Sequence, residues 1–315
     1  MLLSKKLDVK KTYVDTMIKL ARKDNRIVVV EADAAKCSGS VKFSQEFPER
    51  FFQVGIAEQN LVGVCAGLSS MGLIPFCSAF ACFISQRSCD QALNSVAYNN
   101  FNVKLIGTYA GITTERNGGT HMSVEDIAIY RSMPNMIVLE PGDCLEFEQM
   151  IETIAKYEGA VYLRVSRGPL PTVMPEDYKF VLGKSVLMRE GKDVTLISAG
   201  YMTIESIKAC DILNSCGISV RHIHMPTIKP IDEEAVLKAA RETGAIVTVE
   251  NHSILGGLGS AVTETVCSSC PVIVKRLGMD DMFGDTASID WLMEKYKMSA
   301  KHIVDAVKLA QSHKR

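Results

Sequence analysis

At 315 residues, with 47% hydrophobic and 23% charged side chains and a formal net charge of −1, the chain has the size and composition of about two globular domains. The near-neutral balance gives no electrostatic reason for nucleic-acid or membrane-surface binding, and no apolar run reaches the length of a transmembrane helix. The opening MLLSKKLDVKK has too short an apolar stretch for a signal peptide and the ten cysteines are scattered through apolar runs, so a reducing, cytoplasmic setting is expected.

In chain order, a helical stretch covers 10–22, and RIVVVE (26–31) reads as a strand. A helix over 58–71, strands at 73–79, 103–109 and 136–140, a helix over 143–156 and a strand at 160–165 follow. GPLPTVMPEDYKF breaks the pattern between 168 and 185. Beyond it, strands are expected at 193–200, 218–225, 245–250 and 271–278, with helices between them and a helical end over 286–312. This rhythm predicts an α/β fold of two consecutive domains, each a mostly parallel sheet flanked by helices. The division places the first domain at 1–172, a linker at 173–188 and the second domain at 189–315. There are no internal repeats.

Several local patterns carry chemistry. In FFQVGIAEQN (51–60), Glu58 is surrounded in sequence by Val54, Gly55, Ile56, Ala57, Leu61 and Val62. It reads either as a carboxylate desolvated by apolar neighbours, with raised proton affinity, or as an acid favoured at the first turn of a helix. Phe80 and Phe83, three apart in LIPFCSAFACFI, share a face where the segment is helical, and form either a platform for a flat heteroaromatic ligand or ordinary core. In NGGTHMSVED (117–126), His121 follows two glycines, while Ser123 and Asp126 take the N-cap and capping-box positions of a helix. A histidine on such a loop suits acid–base work or a substrate hydroxyl. Asp33, Phe80, Tyr109 and Arg167 all closely follow expected strands, where parallel sheets gather their functional residues.

Other patterns point elsewhere. Cys267 and Cys270 form a lone CxxC, which without a second pair argues against zinc. His222 and His224 share one strand face and read as half-exposed positions rather than a chelating pair. GGLGS (256–260) opens a helix, where either a bound anion or close helix–sheet packing calls for glycine.

GIAEQN, PFxxxFxxF, GGTHxxxEDIAIxRxxPNMxVxxPGD and LRVSRGPLP, in that order and spacing, resemble the C-terminal two domains of the transketolase family over residues 8–310. The resemblance implies thiamine diphosphate as cofactor, with Glu58 as proton relay to its aminopyrimidine and Phe80 and Phe83 against that ring. It adds Ile56 and Asp33 on the cofactor side, Asp33 lining the substrate cleft as well. His121 resembles the ligand of the donor's C1 hydroxyl and carbonyl region, and Arg167 the ligand of a sugar phosphate. Lys10, Ser38, Tyr109 and Asn117 are placed on the substrate side by the same resemblance. Three of these depart from the family pattern, which has aspartate at Asn117, a second histidine at Tyr109 and arginine at Lys10. Lysine is a point charge that cannot fork onto a phosphate, so an unusual ketose or aldose is expected.

The family's GDG and its following acid–amide pair, which hold a divalent cation, are missing. No metal ligand is therefore expected here. The resemblance implies that a separate N-terminal subunit supplies the pyrophosphate site with Mg2+ or another divalent cation. A two-plus-two heterotetramer is the expected assembly, and self-association would follow where the cofactor interface is left open. The second domain is expected mainly to support assembly. The function so implied is the C-terminal subunit of a split transketolase, moving a two-carbon ketol group from a ketose phosphate to an aldose. The alternatives are the beta subunit of a 2-oxo acid dehydrogenase and a non-catalytic transketolase-like paralogue. GGTH, SRGPLP and EDIAIYRSMPN favour transketolase, and deoxyxylulose-phosphate synthase shares several motifs in a longer chain.

Overall fold

Continuous apolar runs make the strands of the first half suitable for a sheet covered on both faces. The structure is a computed structural model that describes residues 6–314. Its strands are β1 (Lys6–Asp8), β2 (Ile27–Glu31), β3 (Phe51–Gln53), β4 (Ile74–Phe80), β5 (Lys104–Thr108), β6 (Ile137–Leu139), β7 (Val161–Arg164) and β8 (Pro169–Pro171), then β9 (Val186–Arg189), β10 (Val194–Ser198), β11 (Val220–His224), β12 (Thr227–Lys229), β13 (Ala245–Ser253) and β14 (Ile273–Met279). The helices are α1 (Val9–Ala21), α2 (Ala35–Ser38), α3 (Val41–Glu46), α4 (Glu58–Ser70), α5 (Ala81–Gln86), α6 (Asp126–Arg131) and α7 (Cys144–Ile154), then α8 (Met202–Ser215), α9 (Glu233–Thr243), α10 (Leu258–Ser269), α11 (Ile289–Lys295) and α12 (Ala300–Ser312).

The largest sheet runs β12-β6-β7-β5-β4-β2-β3 and a second β14-β13-β10-β11-β9; apart from the edge strands β12 and β9, all pairs in both are parallel, and β1 and β8 form a separate antiparallel pair. This is the predicted α/β architecture. Alternation along β2 and β4 sets the layers: Ile27, Val29, Ile74 and Phe76 pack with Met17 of α1 and Phe147 of α7. Val30 and Cys77 share the other face with Leu61 of α4 and Ile84 of α5. Each such fully buried aliphatic or aromatic side chain is worth roughly 1.5–3 kcal/mol. The same apolar cluster continues into the second half through Val236, Leu258 and Val262.

The two halves interlock beyond this core. β12, from the second half of the chain, adds antiparallel to β6 at the edge of the first sheet. Arg164 at the end of β7 is fully buried and meets Asp126 Oδ2 at 2.8 Å and Glu140 Oε1 at 2.6 Å. Its Nη2 donates to the carbonyl oxygens of Ser123 (2.9 Å) and Asn251 (2.7 Å), the latter on β13.

Three sequence expectations change and one open choice is resolved. The helical end is two helices, broken where Lys297 adopts a φ of 56°. His222 and His224 are buried rather than half-exposed, because β11 lies inside its sheet between β10 and β9 and polar partners meet both rings. Ser198 Oγ lies 2.8 Å from His222 Nε2, while Thr203 Oγ1 and Glu146 Oε2 each lie 2.7 Å from His224. Burial, then the neighbouring His224 and Arg189, push His222 down to about 3. Ser123 does not cap the helix after His121; α6 starts at Asp126 with Glu125 at the cap position, and Asp126 turns inward to Arg164 and Tyr162. Finally, the GGLGS turn does bind an anion, but its own: Glu250 accepts from Leu258 N at 2.7 Å and Gly259 N at 2.9 Å. A Cβ on Gly257 would collide with Glu250 Oε2, so close packing requires glycine there as well. Among the described residues no helix is long and apolar enough to cross a membrane, and all ten cysteines are free thiols.

Candidate active site

The carboxyl ends of β2, β4, β5 and β7 lie side by side, and the chain leaves each with a polar or aromatic residue that the sequence had singled out. Phe80 ends β4 in an extended conformation (ψ 139°) and Phe83 belongs to the first turn of α5, so the pair is not on one helical face. Their rings nevertheless stack, with centroids 5.7 Å apart and planes 6° apart. Tyr109, just past β5 at a φ of 60°, stacks on Phe80 at 4.6 Å. His121 stands edge-on to Phe83 at 5.1 Å and to Phe80 at 6.0 Å. Its Nδ1 lies 2.9 Å from Thr120 Oγ1.

Glu58 is the first residue of α4 and is 4% exposed. Leu61 and Val62 are buried as expected, but Ile56 is 73% exposed. Both carboxylate oxygens lie 3.1 Å from Nη1 of Arg87. The Arg87 guanidinium in turn lies 3.9 Å over the Phe83 ring. Burial therefore removes Glu58 from water while a cation compensates its charge.

Two cations face the Tyr109 ring, Arg167 at 5.1 Å and Lys10 at 5.8 Å. Neither forms a salt bridge with a carboxylate among the described residues: Lys10 Nζ donates to the Lys36 carbonyl and Arg167 Nη1 to that of Thr114. Such uncompensated positive charge beside an aromatic face suits an anionic ligand. Ser38 is buried and donates to Glu31 Oε1 at 2.6 Å, beside Ser40 at 2.7 Å, so it braces the turn under Lys10. Burial raises Glu31 to about 7. Asp33 is exposed, at a φ of 56°, with its N–H held by Gln53 Oε1 at 2.6 Å. Asn117 is exposed at the end of the turn before Gly118. Beside Thr120 a cleft of about 850 Å³ opens between the halves, lined by Gln86, Met122, Ser253, Met282 and Phe283.

Residues 5–172 match the transketolase pyrimidine-binding domain and residues 183–303 the transketolase C-terminal domain. The chain belongs to the transketolase family. It is 46% identical to the 6-deoxy-6-sulfo-D-fructose transketolase subunit of Clostridium sp. (strain MSTE9), covering 94% of this chain and 92% of that one. It is 40% identical to an apulose-4-phosphate transketolase subunit of Phocaeicola vulgatus, covering 86% and 87%. A solved structure titled as an inactive beta4 tetramer of a split-gene transketolase superposes with a TM-score of 0.90 at 40% identity, covering 98% of this chain and 99% of that one.

For a transketolase chain, the site holds residues that no local motif disclosed. Arg87 was missed because its partner Glu58 is 29 positions away, although it sits one turn beyond Phe83. Asn251 was missed because its target lies in the other half. Its Oδ1 accepts from Ile112 N at 2.8 Å and its Nδ2 donates to the Ala110 carbonyl at 3.2 Å, at the root of the loop that carries His121. A Cβ on Gly111, whose φ is 59°, would collide with Asn251 Oδ1. The only sequence signal was a buried-strand ending, VENHS, with an amide where an apolar residue would be expected.

Proposed function

We propose that the chain is the C-terminal subunit of a split, thiamine-diphosphate-dependent transketolase of the cytoplasm, transferring a two-carbon ketol group from a ketose to an aldose with a separate N-terminal subunit. The observation that carries the reading is the convergence of a buried carboxylate, a stacked phenylalanine pair, a loop histidine and two cations without carboxylate partners among the described residues, at the carboxyl ends of one sheet's strands. The residues fit the cofactor's pyrimidine end, because a planar N–H donor, Arg87, already stacks on Phe83 while bonded to Glu58. Thiamine diphosphate, when bound, supplies the nucleophilic carbon and electron sink that carry the ketol unit.

In this reading Glu58 exchanges a proton at a carboxylate oxygen, held by the rigid first turn of α4. His121 orients hydroxyl and carbonyl groups of the donor and moves a proton there. Phe80, Phe83 and Tyr109 exclude water from one side. Arg167 and Lys10 bind the far, anionic end of the sugar over Tyr109, with Asp33, Asn117, Ser38 and Ile56 completing or supporting the rim. The names of the two relatives carry a sulfo and a phosphate group, which supports an anionic sugar of unusual type here. Among the described residues no group of three or more His, Cys, Asp or Glu is arranged to hold a metal ion. We assign the Mg2+ and diphosphate ligands to the partner, in a two-plus-two heterotetramer, with self-association of this chain in its absence.

The test is ketol transfer, with a divalent cation and a panel of phosphorylated and sulfonated ketoses and aldoses, by this chain, its partner subunit and the mixture. Activity only in the mixture, lost with Glu58→Gln, is expected. Turnover of a 2-oxo acid in a dye-linked assay with no ketol transfer would instead identify a dehydrogenase subunit. Full turnover by the single chain would remove the partner.

A further inference from the structure

We propose that Arg87 holds the place of the cofactor's aminopyrimidine ring in the cofactor-free chain and must swing out for that ring to enter. The inference rests on the functional reading above. A flat amino-heterocycle in this site needs two things from the chain, an aromatic face and a hydrogen bond to the Glu58 carboxylate. Arg87 takes both at once. Its Nη1 lies 3.1 Å from each Glu58 oxygen, and its guanidinium carbon lies 3.9 Å from the centre of Phe83. Phe80 lies parallel to Phe83 at 5.7 Å and His121 stands edge-on at 5.1 Å, so the ring already has three neighbours. Guanidinium is planar, cationic and stacks on aromatic faces, which makes it a fair mimic of a protonated heterocycle.

The two partners differ in freedom. The Glu58 side chain is 5% exposed and fixed on α4, whereas that of Arg87 is 48% exposed and lies at the end of α5, just past its last residue. Arginine can therefore leave while the carboxylate stays. The pairing also solves a problem of the empty site, since a buried carboxylate without a partner would be costly. Arg87 provides that partner until another N–H donor replaces it. A half-exposed ion pair together with one cation–π contact favours the closed arrangement by about tenfold, and the apparent affinity for the cofactor is reduced by the same factor.

The experiment uses the complex of this chain with its N-terminal partner and Mg2+, titrated with thiamine diphosphate by calorimetry, for wild type, Arg87→Met and Arg87→Lys. Arg87→Met should bind the cofactor about tenfold more tightly, and Arg87→Lys, which keeps the charge but not the flat stack, should fall between. Without cofactor, Arg87→Met should melt below wild type because Glu58 loses its partner, and saturating cofactor should erase that difference. Equal or weaker cofactor binding by Arg87→Met, with a fall in kcat, would show that Arg87 stays in place to position Glu58 and would overturn the proposal. Absence of binding to all three proteins would overturn the functional reading as well, which separates the two failures.

Discussion

Asn251→Ala removes two hydrogen bonds made in fully buried surroundings, from Ile112 N at 2.8 Å and to the Ala110 carbonyl at 3.2 Å. The Ala110 carbonyl keeps the Thr113 hydroxyl as a donor, so only the Ile112 N–H is left unsatisfied, at roughly 1–3 kcal/mol, and the second lost bond adds about 0.5–1.5 kcal/mol, about 1.5–4.5 kcal/mol together. The damage should not stay local. Thr113 Oγ1 accepts from Arg167 N at 3.1 Å, and the Thr114 carbonyl accepts from Arg167 Nη1 at 3.0 Å. The Thr114 hydroxyl lies 2.9 Å from the Tyr109 carbonyl and 3.1 Å from that of His121. A shift at 110–112 therefore reaches His121, Tyr109 and Arg167 together. Urea unfolding should show a loss within the stated range. Ketol transfer by the reconstituted pair, measured where the variant is fully folded, should lose on the order of 100-fold in kcat, as small misplacements of reacting groups do. Asn251→Asp keeps the acceptor but loses the donor and should fall between. An unfolding change below about 0.5 kcal/mol with unchanged kcat would refute the argument that the second half holds this loop.

Removing the shared aromatic platform with Tyr109→Ala should raise KM for the anionic sugar about 5- to 30-fold with a smaller effect on kcat, since two cation–π contacts of roughly 0.5–1 kcal/mol each are lost; initial-rate kinetics check this, and an unchanged KM would place the anion elsewhere. Stability should respond to acid in two stages. His222 (about 3) and His252 (about 4) stay neutral when folded, so their contribution is complete above pH 6.5 and is lost as pH falls toward those values. Glu31 and Glu250 (both about 7) act oppositely, contributing fully below pH 4.5 and losing that contribution as pH rises through 7. The two pairs offset one another between pH 4.5 and 6.5; from 4.5 to about 4 the two histidines together should reduce stability at a rate of about 2–3 kcal/mol per pH unit, and below that His222 alone at about 1.4 kcal/mol per pH unit. Urea midpoints across pH 3.5–8 should show a plateau and then a steep fall that His222→Asn makes shallower; a fall that begins at pH 6.5 would contradict the offset.

The sheet strands were legible because burial on both faces writes a continuous apolar run, and RIVVVE maps onto β2 within one residue. Glu58, Phe80, Phe83 and His121 were legible because each belongs to a compact motif. What the sequence hid was pairing across distance. A carboxylate between Val54 and Val62 looks desolvated, as it is, and uncompensated until Arg87 folds over it from the end of α5. Histidines at 222 and 224 look amphipathic until Glu146 of α7 and Thr203 of α8 meet them. GGLGS admits either a bound anion or close packing, and Glu250, eight and nine residues away, meets both needs at once. The antiparallel edge strands β9 and β12 were also missed, because three- or four-residue segments carry too little periodicity to announce themselves.

The expectation that the second domain serves mainly for assembly is incomplete, and Arg164 shows why. Its guanidinium meets Asp126, Glu140 and the Ser123 carbonyl from the first half and the Asn251 carbonyl from the second, all within 2.9 Å. Burial works against both carboxylates, yet the Arg164 charge and the hydrogen bonds from Arg164 and Tyr162 hold Asp126 below its ordinary range, whereas burial prevails at Glu140 and holds it above. An apolar seam would bury as much surface but would tolerate sliding, while a network of directed bonds admits one register. Asn251 sits at the centre of that register. Its carbonyl takes Arg164 and its side chain takes the root of the His121 loop, so fixing one sheet against the other also fixes the histidine. The position of His121 beside Phe83 is consequently a property of both halves of the chain, although the two rings and the hydroxyl that meet its imidazole, from Phe80, Phe83 and Thr120, come from the first.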